Sequence, residues 1–216
     1  MDITFLGHAA FRLKGKSASL VTDPFDPKVG LKFPKVEADI VTVSHEHFDH
    51  NASGLVGGAP YIINGAGEYE IKGVSVVGVD SFHDDKEGAE RGRNTLYNIQ
   101  MDGVNVAHLG DLGQASLSNT QVEELGNVDI LLIPVGGFFT IDASSAAKIA
   151  AQLEPKIVIP MHYQEIGSQI KELEGPEKFF KEMAKENVEK LDKLSISKEK
   201  FPEELKVIQL VRPGSS

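Results

Sequence analysis

The sequence predicts an α/β (α+β) chain in which short buried strands are interspersed with a few amphipathic helices. Three observations carry this. Apolar, β-branched runs such as Ile40-Val41-Thr42-Val43, Val74-Ser75-Val76-Val77, Val104-Asn105-Val106-Ala107 and Ile157-Val158-Ile159 recur, bounded by charge, Gly or Pro, as covered strands are. Between some of them lie stretches of helical spacing preceded by capping residues. Metal-type side chains stand just past several of the strand runs, and in open β/α architectures sites collect outside the carboxyl ends of strands.

Taken in order, Asp2 to Leu6 and Ala10 to Leu13 read as strands separated by Gly7-His8, and Ser17 to Thr22 as a third. His8, alone between strands, is read from the residues as structural. Asp23 precedes Pro24, which biases it to extended backbone; its expected role is to orient a ligating histidine. Pro24 to Glu37 holds three prolines and little periodicity, so it is a loop. Lys28, Lys32 and Lys35 make it mildly basic, and it is read as solvated surface.

Ala38 to Val43 is the next strand, and it runs into Ser44-His45-Glu46-His47-Phe48-Asp49-His50. In extended backbone, residues two apart share a side, so His45 and His47 present two imidazoles to one point. The chain must then turn, bringing Asp49 and His50 round as ligands for a second point nearby. Such donors, without sulfur, suit Zn first, with Mn or Fe as alternatives. His50 to Val56 is expected to begin a short helix ending at Gly57-Gly58. Tyr61 to Ile63 and Tyr69 to Lys72 read as short strands around a Gly65-Ala66-Gly67 turn. This Gly-x-Gly lacks the third glycine and following helix of a dinucleotide fingerprint.

The strand at Val74 to Val79 ends in Asp80-Ser81-Phe82-His83. Asp84, Asp85, Glu87 and Glu90 read as a solvated loop. Arg91-Gly92-Arg93-Asn94 is the densest positive charge near the site-bearing segments. Arg91 and Asn94 are therefore candidate substrate contacts, because arginine suits carboxylate or phosphate recognition. Asp102-Gly103 marks a hairpin between Asn98–Met101 and Val104–Ala107, after which come His108 and Gly110-Asp111. Leu117 to Leu125 is an amphipathic helix with Ser118 and Asn119 as candidate caps. Asp129 to Pro134 is a buried strand, and Gly136-Gly137-Phe138-Phe139 is expected to line a pocket. Asp142 to Leu153 is an Asp-capped helix, and the strand Lys156 to Pro160 leads to Met161-His162-Tyr163. Tyr163, beside His162, is a candidate hydrogen-bond donor to substrate. Pro176 to Leu191 reads as one charged helix, Leu205 to Val211 as the final strand, and Pro213 to Ser216 as a frayed end.

The chain has 216 residues, a formal charge of −10 and no cysteine. That length suits one domain, 1–216. The negative charge argues against a long nucleic acid as substrate and leaves a small molecule, anionic if the site itself is cationic. There is no apolar run long enough for a transmembrane segment. Met1-Asp2-Ile3-Thr4-Phe5 lacks the features of a secretory signal, so a cytoplasmic location is expected. A homo-oligomer is compatible with the sequence, which does not specify one.

The order His45-x-His47-x-Asp49-His50, a lone His83, Gly110-Asp111 and a last His162 resembles the metallo-β-lactamase superfamily. Leu6-Gly7-His8-Ala9, Thr22-Asp23-Pro24, His108 to Gly113, Ile133 to Gly137 and Ile159 to Tyr163 resemble its branch of small bacterial and archaeal metal-dependent hydrolases. That branch includes ascorbate-6-phosphate lactonase and, more distantly, N-acyl phosphatidylethanolamine phospholipase D. The resemblance implies a four-layer αββα sandwich with two divalent metal ions at one edge. It implies that His45, His47 and His83 hold one ion, that Asp49, His50 and His162 hold the other, and that Asp111 bridges them. It also makes His8 site-facing, while His108 matches no ligand position and is placed behind the ligands. A metal-bridging hydroxide would attack a small ester, lactone or phosphodiester, with Asp49 as the catalytic residue that orients it or handles its proton. The alternative substrate is a nucleotide or phospholipid head group. From other classes come a metal-free binding module and a diiron redox protein of the same fold; the latter carries Glu where His47 stands.

Overall fold

A computed structural model of the chain describes residues 1–212; the segment Pro213 to Ser216, read above as a frayed end, lies outside the described residues. The strands are β1 (Asp2–Gly7), β2 (Ala10–Lys14), β3 (Ser19–Thr22), β4 (Val36–Glu37), β5 (Ile40–Thr42), β6 (Val56–Gly57), β7 (Tyr61–Ile63) and β8 (Gly67–Ile71). They continue as β9 (Val74–Phe82), β10 (Arg93–Met101), β11 (Val104–His108), β12 (Ile130–Pro134), β13 (Ile157–Met161), β14 (Glu189–Leu191), β15 (Leu194–Ser195) and β16 (Lys206–Leu210). Helices α1 (Asn119–Leu125), α2 (Ala143–Leu153) and α3 (Glu177–Glu182) complete the set. A six-stranded sheet, β15-β1-β2-β3-β5-β7, faces an eight-stranded one, β14-β16-β13-β12-β11-β10-β9-β8. β4 and β6 form a separate short pair.

Alternating residues of both sheets fill the space between them. Ile3, Phe5, Phe11, Leu13, Leu20, Ile40 and Ile63 meet Val76, Tyr97, Ile99, Val106, Leu132 and Ile159, all buried. The outer face of the larger sheet packs on the helices through Leu125, Ala146, Ile149, Ala150, Leu153 and Phe179. The outer face of the smaller sheet is covered differently: Val21 and Val41 meet Phe25, Val29, Leu31 and Phe33 of the proline-bearing loop and its 3₁₀ turn Pro27–Val29. The sandwich of the metallo-β-lactamase type is present, with that outer layer made of loop. This loop is thus a packed layer as well as a surface.

Strand polarity explains where the site falls. β3 and β5 are parallel with Thr22 beside Thr42, so Asp23 and the segment after Val43 leave the sheet at one edge. In the larger sheet β11, β12 and β13 are mutually parallel. β10 opposes both β9 and β11, so β9 runs the same way as β11. His83, Asp111 and His162 therefore emerge together, next to the beginning of β10 with Asn94. The two edges are sewn to each other: Thr95 N–H donates to Ser44 O at 2.9 Å and His162 N–H to His8 O at 2.8 Å. The buried Tyr97 hydroxyl donates to Val43 O at 2.8 Å.

The helices start where their caps are. Ser118 and Gln121 form a reciprocal capping box for α1, and Asp142 accepts from Ser145 N–H for α2. Asp102 and Gly103 take positive φ in the expected β10–β11 hairpin. Two expected helices are not formed as read. After His50 there is only a 3₁₀ turn, Ser53–Leu55, because the segment lacks a buried apolar stripe and His50 is tied into the site. The helix after Pro176 stops at Glu182; Ala184 turns to φ 53°, and the chain returns as β14.

Replacing Tyr97 by Phe removes a buried hydroxyl that joins the two sheets beside the site. The expected loss is about 1 kcal/mol, read as a lower urea midpoint at unchanged m-value.

Candidate metal centre

His45, His47 and His83 converge, with ligand atoms within 4.8 Å of one another, and so do His8, Asp49, His50 and His162. Asp111 lies between the groups. Its Oδ1 is 3.2 Å from His50 Nε2, and its Oδ2 is 3.4 Å from His83 Nε2 and 3.2 Å from His162 Nε2. His47 and Asp49 stand at the solvent side, while His45, His50, His83, Asp111 and His162 are buried.

Supporting residues aim these side chains. Asp23, fully buried, accepts from Ser44 N–H at 2.8 Å, from Ser44 Oγ at 2.5 Å and pairs with His50 Nδ1 at 2.8 Å. Ser44 Oγ also lies 2.9 Å from His45 Nδ1. Both imidazoles thereby turn Nε2 inward. Asn94 Oδ1 accepts from Asp111 N–H at 2.9 Å, and its amide donates to Ser81 Oγ and Leu109 O. Asn94 is thus a brace behind Asp111 rather than a wall of the pocket. His108 is also behind the ligands: Nε2 meets Ala9 O at 2.8 Å and Nδ1 accepts from Gly110 N–H. His8, held at φ 56°, places Nε2 3.1 Å from Asp49 Oδ2.

Close approach demands glycine beside the ligands. A Cβ on Gly113 would lie 2.3 Å from Asp84 N and His83 C, and one on Gly136 would lie 2.2 Å from His162 O. Both positions sit in the Gly-containing motifs noted in the sequence.

The electrostatics favour metal-ready imidazoles around buried negative charge. Burial, together with His50, pushes His45 down to about 3; burial and His162 push His8 down to about 4. Burial also lowers His83. These rings are neutral near pH 7, the form that donates a lone pair. Asp111 is buried, yet His162 and His50 hold it well below the usual carboxylate range. Asp49 is likewise lowered: His50 and the bond to His8 outweigh its burial. His50 resists its burial and is raised by Asp111 and Asp49, which marks the spot between these carboxylates as one that wants a cation. His45 Nε2, His50 Nε2 and Asp111 Oδ1 are buried in the centre and make no well-formed hydrogen bond, although the last two face each other at 3.2 Å. Nitrogen and carboxylate donors so arranged fit divalent ions of the Zn, Mn or Fe type.

The centre opens into a cavity of about 560 Å³. Its lining includes His47, Asp49, His83 and Asp111 with Lys28, Phe48, Arg91 and Phe139. Lys28 therefore does more than cover surface. Tyr163, expected at the substrate, is elsewhere: it is buried, and its hydroxyl accepts from Gln209 at 3.3 Å. The positive φ of His162, 50°, turns the chain so that the next side chain enters the helix-side core.

Two contributors carried no sequence signal of their own. Glu165 accepts from His8 N–H at 2.6 Å and from Arg212 Nε at 2.8 Å, fixing the His8 turn. Asp84, read as a solvated acid, is buried. It accepts backbone N–H groups of Lys86, Gly88, Glu90 and Arg91 at 2.7–2.9 Å.

Residues 2–162 match the family described as Beta-lactamase superfamily domain. A UPF0173 metal-dependent hydrolase of Thermococcus kodakarensis is 36% identical, with 76% of this chain and 84% of the relative covered. One from Archaeoglobus fulgidus is 31% identical, with 76% and 83% covered. A solved structure from Thermotoga maritima, provisionally described as a Zn-dependent hydrolase of the metallo-β-lactamase superfamily, shares 38% identity. It superposes with a TM-score of 0.80 over 97% of each chain. CmlA, a diiron β-hydroxylase from Streptomyces venezuelae, is 14% identical with a TM-score of 0.57, covering 74% of this chain and 44% of CmlA; it shares the fold alone. Fold, site and relatives together define a metal-dependent hydrolase. The chain belongs to the metallo-β-lactamase superfamily and, within it, to the UPF0173 metal-dependent hydrolase family.

Changing Asp23 to Asn keeps the volume but removes the charge that orients Ser44 and His50. Metal affinity is expected to fall about 10–100-fold, measured by chelator competition on protein whose circular dichroism is unchanged.

Proposed function

We propose that the chain hydrolyses a small anionic ester, lactone or phosphodiester at a two-metal centre. In this reading His45, His47 and His83 hold one ion, Asp49, His50 and His162 hold the other, and Asp111 is shared. The observation that carries it is the Asp111 carboxylate, 3.2–3.4 Å from the Nε2 atoms of His50, His83 and His162. Zn is the first candidate, with Mn or Fe as alternatives.

Held by these residues, divalent ions would supply Lewis-acid activation of water and of the bond attacked. The protein's own groups do the rest. Asp49, ionised and partly exposed, takes the proton or orients the attacking water. His8 steadies Asp49 through its 3.1 Å contact, and Glu165 and Arg212 fix the turn that carries His8. Asp23 and Asn94 hold His50 and Asp111 from behind. Two divalent ions would outweigh the Asp49 and Asp111 carboxylates that hold them, so the loaded centre would attract an anion although the chain is acidic.

The test compares bis(p-nitrophenyl) phosphate with a small sugar-acid lactone on Zn- and Mn-loaded protein. Hydrolysis of one of them is expected, lost with Asp111→Ala and reduced about 10²–10⁴-fold in kcat with Asp49→Asn. Phosphodiester cleavage alone points to nucleotides or lipid head groups, and lactone cleavage alone to sugar acids. Full activity in Asp111→Ala would overturn the proposed centre.

A further inference from the structure

The cavity beside the centre contains a cation whose surroundings suit recognition better than stability. Arg91 belongs to the lining with Lys28, Phe48, Phe139 and Ile170. Its backbone is immobilised from within the loop. Asp84 takes the Arg91 N–H at 2.7 Å along with those of Lys86, Gly88 and Glu90. His83 N–H to Gly92 O at 3.0 Å closes the loop. Its guanidinium lies over the Phe139 ring, 5.4 Å from the centroid, and Nη1 is 3.4 Å from Phe139 O.

What this guanidinium lacks, among the described residues, is an acid. No carboxylate comes within ion-pair distance of it, whereas Arg93 meets Asp80 and Arg212 meets Glu165. Its neighbour Glu90 is engaged by Lys86. An arginine fixed on a ring, with its fork of donors free of carboxylate, is arranged to take a planar or tetrahedral anion bidentately.

Resting on the hydrolase reading above, we infer that Arg91 is a specificity-determining residue that binds a second anionic group of the substrate, remote from the bond cleaved. The preferred substrate is then an amphiphilic acid. Its reactive carbonyl or phosphoryl lies at the metals, its carboxylate or phosphate on Arg91, and its apolar part against Phe48, Phe139 and Ile170. Asp84 is the positioning residue that holds Arg91 there. Glu172, exposed in the same lining, disfavours a polyanion, so one added charge is the expected limit.

The test is calorimetric and needs no turnover. Straight-chain α,ω-dicarboxylates from succinate to suberate are titrated into protein of measured metal content, beside monocarboxylates of equal length. At the best length the dicarboxylate is expected to bind at least about 10-fold more tightly than its partner. Arg91→Gln removes that gain, leaves monocarboxylate affinity within about 2-fold, and Arg91→Lys restores part of it. Absence of a gain at every length overturns the inference. So does a gain that survives Arg91→Gln or that follows Lys28→Gln instead. Failure to bind metal counts against the hydrolase reading, whereas an Arg91-independent profile, with or without metal, counts against this one.

Discussion

Buried carboxylate is the constraint around which this structure is built. Asp23 and Asp111 lie inside the protein with scarcely any solvent contact, where an isolated ionised carboxylate is costly. Each is tolerated because it is surrounded. Asp23 is satisfied by Ser44 and His50. Asp111 is surrounded by imidazole nitrogens and braced through its backbone by Asn94. His45, His8 and His83 are pushed down by burial, whereas His50 is raised by Asp111 and Asp49 and is the ring on which these carboxylates draw. Divalent ions would complete the balance.

That arrangement is affordable only because two sheets share one edge. The parallel pairing of β3 with β5 and of β11 with β12 and β13 delivers ligands from remote parts of the chain to neighbouring strand ends. The edges are then locked by backbone bonds from Thr95 to Ser44 and from His162 to His8. Gly113 and Gly136 let the loops approach to distances that a side chain would forbid. The metal side is thus pinned from both sheets, while Phe48, exposed and part of the cavity lining, stands where the site meets solvent.

Much of this was legible in the sequence, and the reasons are local. His45, His47, Asp49 and His50 lie within one short stretch after a strand, so the spacing of His45 and His47 and the turn that must follow suffice to predict two neighbouring ligand pairs. His83, Asp111 and His162 were legible through resemblance, because their meeting depends on strand order that spacing does not reveal. Asp23, expected to orient a ligating histidine, stands against His50 Nδ1 and Ser44. Tyr163, expected at the substrate, lies in the core, because the left-handed backbone at His162 is invisible in the residue types and turns the ring there. Asp84 looked like one more loop acid; only the closed loop reveals that four N–H groups converge on it. The helix read from Pro176 to Leu191 was overestimated for a similar reason: the positive φ at Ala184 ends it where the apolar spacing gives no warning.

The most direct test of the account is anomalous diffraction at the zinc edge from crystals of zinc-loaded protein. Two peaks are predicted on either side of the Asp111 carboxylate, one among His45, His47 and His83, the other among Asp49, His50 and His162. Zinc retained elsewhere, with no peak inside this cluster, would contradict it.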